Sequence, residues 1–174
     1  MRLLKVLLAC LVFSTPALAG MNYPPVVAGQ LPGTTTNDSA AAGKVGEFIT
    51  SSIASGSAIP LTSGTQTNIT SISLTPGDWD VSGIVNLNGA STTLPTVFNA
   101  AVNTVSATIP TEGTTGRTNV AFNLTSFPTD DPSAPIIPTR ISISTTTTVY
   151  LIARAYFTVS TANAYGTIRA RRVR

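Results

Sequence analysis

Two stretches decide the fold: SISLTPGDWDVSGIVNL at residues 71–87 and RISISTTTTVYLIARAYFTVS at residues 140–160. In the first, Ile72 and Leu74 share a face before Pro76 and Gly77, which predict a turn of type II. Pro presets its own φ there, and Gly tolerates the positive φ that follows. From Asp78 onward, Trp79, Val81, Gly83, Val85 and Leu87 fall on one side, while Asp78, Asp80, Ser82, Ile84 and Asn86 fall on the other. That is the pattern of a half-buried antiparallel strand. It places Trp79 in the core and gives Asp78 and Asp80 a solubilising place on the outer face. In the second stretch, Val149, Leu151, Ala153, Ala155 and Phe157 oppose Tyr150, Ile152, Arg154, Tyr156 and Thr158. One set is wholly apolar; the other is mostly aromatic and polar.

Working outward, the same period predicts strands at residues 45–53, through Val45, Phe48 and Ile49, and at 68–74, 96–102, 119–124, 140–144 and 165–171. The connections TIPTEGTTGRT (108–118) and TSFPTDDPSAPIIPT (125–139) are rich in turn residues, and the second reads as a long surface loop. About eight short strands with turn signals between them indicate an all-β chain, an antiparallel β-sandwich of jelly-roll type. In such a fold the stripe Tyr150, Ile152, Arg154 and Tyr156 either packs beneath a loop or meets another subunit, where Tyr and Arg are favoured. These four residues are the candidate subunit interface of an expected homotrimer.

The chain has 174 residues, 43% hydrophobic and 10% charged, which suits one domain with a sizeable core. Residues 1–19 read as a signal-peptide-like leader: Arg2 and Lys5, an apolar run over 6–13, then a small-x-small site at Ala17, Leu18 and Ala19. A competing reading makes Leu7, Leu8, Ala9 and Cys10 a lipoprotein acceptor site. In a third, Met21 is the start. The apolar run is short of the roughly 20 residues that span a bilayer. Residues 20–43 look like an extended arm, and 44–174 form the β-sandwich domain.

Cleavage after Ala19 leaves eight basic residues against seven acidic ones, a net charge of +1. Five of the eight, Arg154, Arg169, Arg171, Arg172 and Arg174, lie in the last 21 positions. The terminal RARRVR offers positive charge to phosphate or to an acidic glycan; equally, it suits a solvated strand or a contact between subunits. Without interleaved aromatic residues it does not read as a nucleic-acid module.

Catalytic constellations are missing from this sequence. It has no His, and its single Cys, Cys10, lies in the leader, so the usual bases, nucleophile pairs and zinc ligands are gone. The carboxylates Asp38, Glu47, Asp78, Asp80, Glu112, Asp130 and Asp131 show no spacing that sets a pair across a glycosidic bond. Asp130 and Asp131 sit together in a Pro-rich turn, and no phosphate-binding Gly loop is present. The reading is therefore no enzyme, no cofactor and no metal. The acceptor patterns at Asn37, Asn68 and Asn123 arise readily in a Thr-rich chain and receive no weight.

The segments at residues 34–53, 72–87 and 145–174 resemble a family of small proteins and terminal domains from tailed bacteriophages and proteobacterial prophage regions. LTPGDWDVSGIVNL at 74–87 is also similar to a strand motif of trimeric jelly rolls of the tumour-necrosis-factor type. The phage resemblance implies a trimeric β domain at the virion surface, tail fibre-like or decorating the head. Its expected role is non-enzymatic, binding a cell-surface glycan or another virion protein. Loops of Thr, Ser and Asn suit sugar hydroxyls without requiring charge. The leader departs from the virion pattern: either Met21 is the start, or the chain is an exported relative, an adhesion module of the bacterial surface or periplasm.

Overall fold

The alternation of the two deciding stretches is realised in the two longest strands of a computed structural model that describes residues 36–123 and 126–174. The leader with Cys10, Met21, the first part of the arm and Leu124 lie outside the described residues. The strands are β1 (Phe48–Ile53), β2 (Ile59–Leu61), β3 (Thr67–Leu74), β4 (Gly77–Gly89) and β5 (Leu94–Asn103), then β6 (Arg117–Ala121), β7 (Ser133–Ile143), β8 (Thr147–Thr158) and β9 (Ala162–Arg172). A single 3-10 turn at Ser55–Ser57 separates β1 from β2. The chain divides into two units, Met1–Asn37 and Asp38–Arg174, and these nine strands all belong to the second.

They form two antiparallel sheets. The first has the order β1-β9-β4-β7, with β2 pairing β9 beyond β1; the second has the order β3-β8-β5-β6. The pairings nest. If β1 and β2 count as one interrupted strand against β9, then β3 pairs β8, β4 pairs β7 and β5 pairs β6. This is one long hairpin rolled up so that β4 also meets β9 and β5 also meets β8. The result is a jelly roll.

Between the sheets lie Ile72 and Leu74 of β3, Trp79, Val81, Val85 and Leu87 of β4, Phe98 and Val102 of β5, Val149 and Leu151 of β8, and Ile168 of β9. Full burial of each such side chain contributes roughly 1.5–3 kcal/mol. Trp79 is wholly buried, as its place in the alternation predicts, and its indole N–H donates to the Thr75 carbonyl at 3.0 Å.

Several details differ from the sequence reading. The first strand starts at Phe48, because residues 44–47 turn, with the Glu47 N–H bonded to the Lys44 carbonyl. Val45 and Phe48 are therefore exposed, and Ile49 and Ile53 pack against the core instead. Gly77 has φ +150°, so β4 begins at the residue that a type II turn would have used as its corner. The stretch read as a long loop contributes Pro135 and Pro138 to β7. Strand β7 is an edge of its sheet, where a missing N–H is tolerated. Its register against β4 shifts between Val81 and Gly83, so that Ile137 and Pro138 bulge opposite Ser82.

Candidate functional site

The outward residues of β8 include Tyr150, Ile152, Arg154 and Tyr156, and the structure treats them differently. Ile152 stands opposite Asn68 of β3 and Ala101 of β5. Above this row runs the β5–β6 loop, residues 104–116. Asn68 anchors it on one side, donating to Ser106 Oγ at 2.7 Å and accepting from the Ala107 N–H at 2.7 Å. Gln66 accepts from the Ile109 N–H, and Arg117 of β6 holds the Pro110 carbonyl at 2.9 Å. A loop tied to β3 at one end and β6 at the other must cross β8 and β5. Ile152 and Ala101 lie beneath it, both at 0% exposure. Tyr150 and Arg154 are half-buried, and Tyr156 is 41% exposed.

Beyond the loop the face carries a polar row. Arg154 donates from Nε and Nη2 to Asn99 Oδ1 at 3.1 and 2.8 Å. Asn99 passes a bond to Asn119 Oδ1 at 2.8 Å, and Asn119 reaches Glu112 Oε1 at 3.3 Å. Arg117 meets the same oxygen at 3.5 Å. The Arg154 guanidinium lies 5.1 Å from the Tyr156 ring centroid, within cation–π range. A rigid aromatic ring beside an ordered guanidinium is the chemistry enriched at protein interfaces.

The outer face of the first sheet holds the terminal arginines. Alternation along β9 sends Arg169 and Arg171 outward and Arg172 inward, which splits the RARRVR motif. Arg172 is buried. Its Nε reaches Glu47 Oε2 at 2.9 Å, its Nη1 the Pro76 carbonyl at 2.8 Å and its Nη2 Thr75 Oγ1 at 2.5 Å. Its guanidinium sits 4.2 Å over the Trp79 ring. Asp78 is also buried, which corrects its solubilising assignment: Arg140 Nε and Arg174 Nε each approach it at 2.7 Å. Asp80 alone of that pair stays exposed.

Two shallow depressions lie along this face. One, about 380 Å³, is lined by Phe48, Asp80, Ser82, Pro138, Arg169 and Arg171. The other, about 440 Å³, is lined by Ile84, Pro135, Ile136, Thr167 and Arg169.

The electrostatics of the buried pairs follow from their contacts. The Gly43 N–H, and after it Arg172, hold the Glu47 carboxyl below its ordinary value against the opposing effect of burial. Arg140, then Arg174, do the same for Asp78. Tyr165 is pushed up by its hydrogen bond to Asp131. Among the described residues no group of three or more His, Cys, Asp or Glu could hold a metal ion, and no helix is long and apolar enough to cross a membrane. The alternation on β8 found the Tyr/Arg face. It missed the Arg169–Arg171–Arg140 surface, whose only signal was the RARRVR run.

No family model matches this chain, and no curated protein matches it. Among solved structures it is similar to the crystal structure of the infectious bursal disease virus VP2 subviral particle, at 15% identity and a TM-score of 0.44, over 71% of this chain and 32% of that one. A structure of the Gx strain of the same virus gives 14% identity and a TM-score of 0.39, over 72% of this chain and 30% of that one. The chain thus spans about a third of the length of each.

Proposed function

We propose that this protein is a non-enzymatic virion structural protein, a tail fibre-like or decoration domain that assembles as a homotrimer and contacts a cell-surface glycan or another virion protein. The observation that carries this reading is where the chemistry lies. The space between the sheets is filled by apolar side chains, whereas Tyr156, Arg154, Asn119, Arg169 and Arg171 stand on the two outer faces. Such a molecule presents surfaces. The resemblance of residues 34–53, 72–87 and 145–174 to phage and prophage surface proteins supports the virion setting.

Subunit contact is assigned to the accessible part of the β8 stripe, Tyr150, Arg154 and Tyr156, since Ile152 is covered within its own chain. Light scattering of the wild type is expected to give a trimer, and Tyr156→Asp is expected to weaken assembly by at least about tenfold, because it removes the aromatic contact surface and carries a charge out of water at the contact. A monomeric wild type would overturn the interface. Detection of the protein in purified particles tests the virion setting directly.

One observation favours a second reading. The leader-like residues 1–19 fit an exported bacterial surface or periplasmic adhesion module. N-terminal sequencing of native protein separates the two: a chain beginning at Gly20 supports export.

A further inference from the structure

We infer that the outer face of the first sheet is a binding groove for an acidic polysaccharide, a chain of sugars bearing carboxylates, with Arg169 and Arg171 as its anion contacts and Arg140 at its edge. The inference rests on the glycan-contact reading above, and it names where and what kind.

The groove is elongated. Both depressions include Arg169, and their floors are successive residues of β4: Asp80 and Ser82 in one, Gly83 and Ile84 in the other. Strand β7 supplies one wall through Pro135 and the bulged Pro138, and β9 supplies the other through Thr167, Arg169 and Arg171. An extended chain lying along β4 fills both.

Among the described residues, two of its arginines are free of ion pairs, and the third, Arg140, is paired with Asp78 through its Nε. Arg171 makes no side-chain hydrogen bond or ion pair among the described residues. Arg169 uses only its Nε, on Ser82 Oγ at 3.1 Å. Arg140 uses its Nε on Asp78 and leaves its terminal nitrogens to solvent, the side chain being 59% exposed. Arg171 and Arg140 flank Asp80 in one row of the sheet, on strands about 4.8 Å to either side of β4. Guanidinium forks of this kind hold carboxylates in bidentate fashion.

Asp80 decides between ligands. An exposed carboxylate at the centre of the row repels a polyphosphate or a nucleic-acid backbone, which carries a charge on every unit and few hydroxyl donors, more than it repels a polymer with one carboxylate per sugar, whose hydroxyls can donate to it. Phe48, Ile84 and the two prolines offer apolar surface to the C–H faces of sugar rings, and Ser82 and Thr167 offer hydroxyls. A single aromatic residue gives no row of stacking platforms for bases. The groove is also on the opposite sheet from the β8 stripe, so assembly through that stripe leaves it open.

The test is calorimetric titration of the full chain with polygalacturonate, polymannuronate, hyaluronate and polysialate, beside neutral dextran and inorganic polyphosphate. At least one carboxylated polymer is expected to bind, less tightly as salt rises, with dextran silent. Arg169→Gln with Arg171→Gln is expected to weaken binding by at least about tenfold, with an unchanged melting temperature because both side chains lie on the solvent side. Asp80→Asn is expected to raise polyphosphate affinity by a larger factor than that for the sugar polymer, because the more densely charged chain gains more from losing the carboxylate. Binding of dextran equal to the uronates, unaffected by the arginine changes, would overturn the groove and leave general glycan contact standing. Failure of every carboxylated polymer, or tighter arginine-dependent binding of polyphosphate by the wild type, would overturn the inference. Trimer formation and particle association are read separately.

Discussion

Arg172 is the arginine that alternation turns into the protein, and its surroundings satisfy it completely: a carboxylate, a carbonyl, a hydroxyl and the face of Trp79. These partners come from the start of β1, the β3–β4 turn and β4, so one side chain ties the end of the chain to three earlier segments. Gly77 leaves the room this requires. A Cβ at that position would lie 1.9 Å from Arg172 Nη1, and φ there is +150°, a conformation that other residues rarely adopt. Gly77→Ala therefore displaces the guanidinium and leaves the Glu47 carboxylate buried without its cation, held by the Gly43 N–H alone. Breaking a buried pair in this way costs about 3–5 kcal/mol. Urea unfolding is expected to show a loss of that size for Gly77→Ala, and most of the loss of Arg172→Met is expected to return when Glu47→Gln is added. A loss under about 1 kcal/mol for Gly77→Ala would mean that Arg172 finds another seat.

Strands β4 and β8 were legible because each keeps a two-residue period over ten positions, 78–87 and 149–158, and one face of each carries no polar side chain there. Strand β2 was not, since three residues with a central Pro carry no period. Strand β7 looked like a loop because Pro135 and Pro138 break any interior strand. Only its edge position excuses them, and that position is set by pairing with a distant segment. Asp78 sat on the outer face of the alternation as expected, but Arg140 and Arg174 arrive from two other elements to cover it. On β8 the period placed Tyr150, Ile152, Arg154 and Tyr156 together on one face; the loop that covers Ile152 begins far away in sequence and could not be seen. That cover is a small set of hydrogen bonds, each worth about 1 kcal/mol. Asn68→Ala removes two of them, the one it donates to Ser106 and the one it accepts from the Ala107 N–H. Hydrogen exchange at Ala107 and Ile109 is expected to speed by about fivefold or more, with the amides of β4 unchanged. Unchanged exchange in the loop would show that packing on Ile152, and not the Asn68 clamp, holds it down.

At the scale of the whole molecule, the ion pairs of Glu47 and Asp78 gather at one end of the sandwich, where the β3–β4 turn, β7 and the last residues of the chain meet. Both carboxyls are held below their ordinary values of 4.5 and 3.8, Glu47 chiefly by the Gly43 N–H and Asp78 chiefly by Arg140. A carboxyl whose value is depressed by folding stabilises fully above its unfolded value, and that contribution disappears as pH falls through the folded value. The sequence contains no histidine, so no ordinary side chain changes charge between about pH 5 and 7.5. The melting temperature is therefore expected to be flat across that interval and to fall steadily below about pH 4.5. Differential scanning calorimetry from pH 2.5 to 7.5 checks the shape, and Asp78→Asn checks the cause: the variant melts lower at neutral pH and loses part of the acid slope. An acid slope identical in wild type, Asp78→Asn and Glu47→Gln would place the titrating groups elsewhere and separate this cluster from the acid limit of the fold.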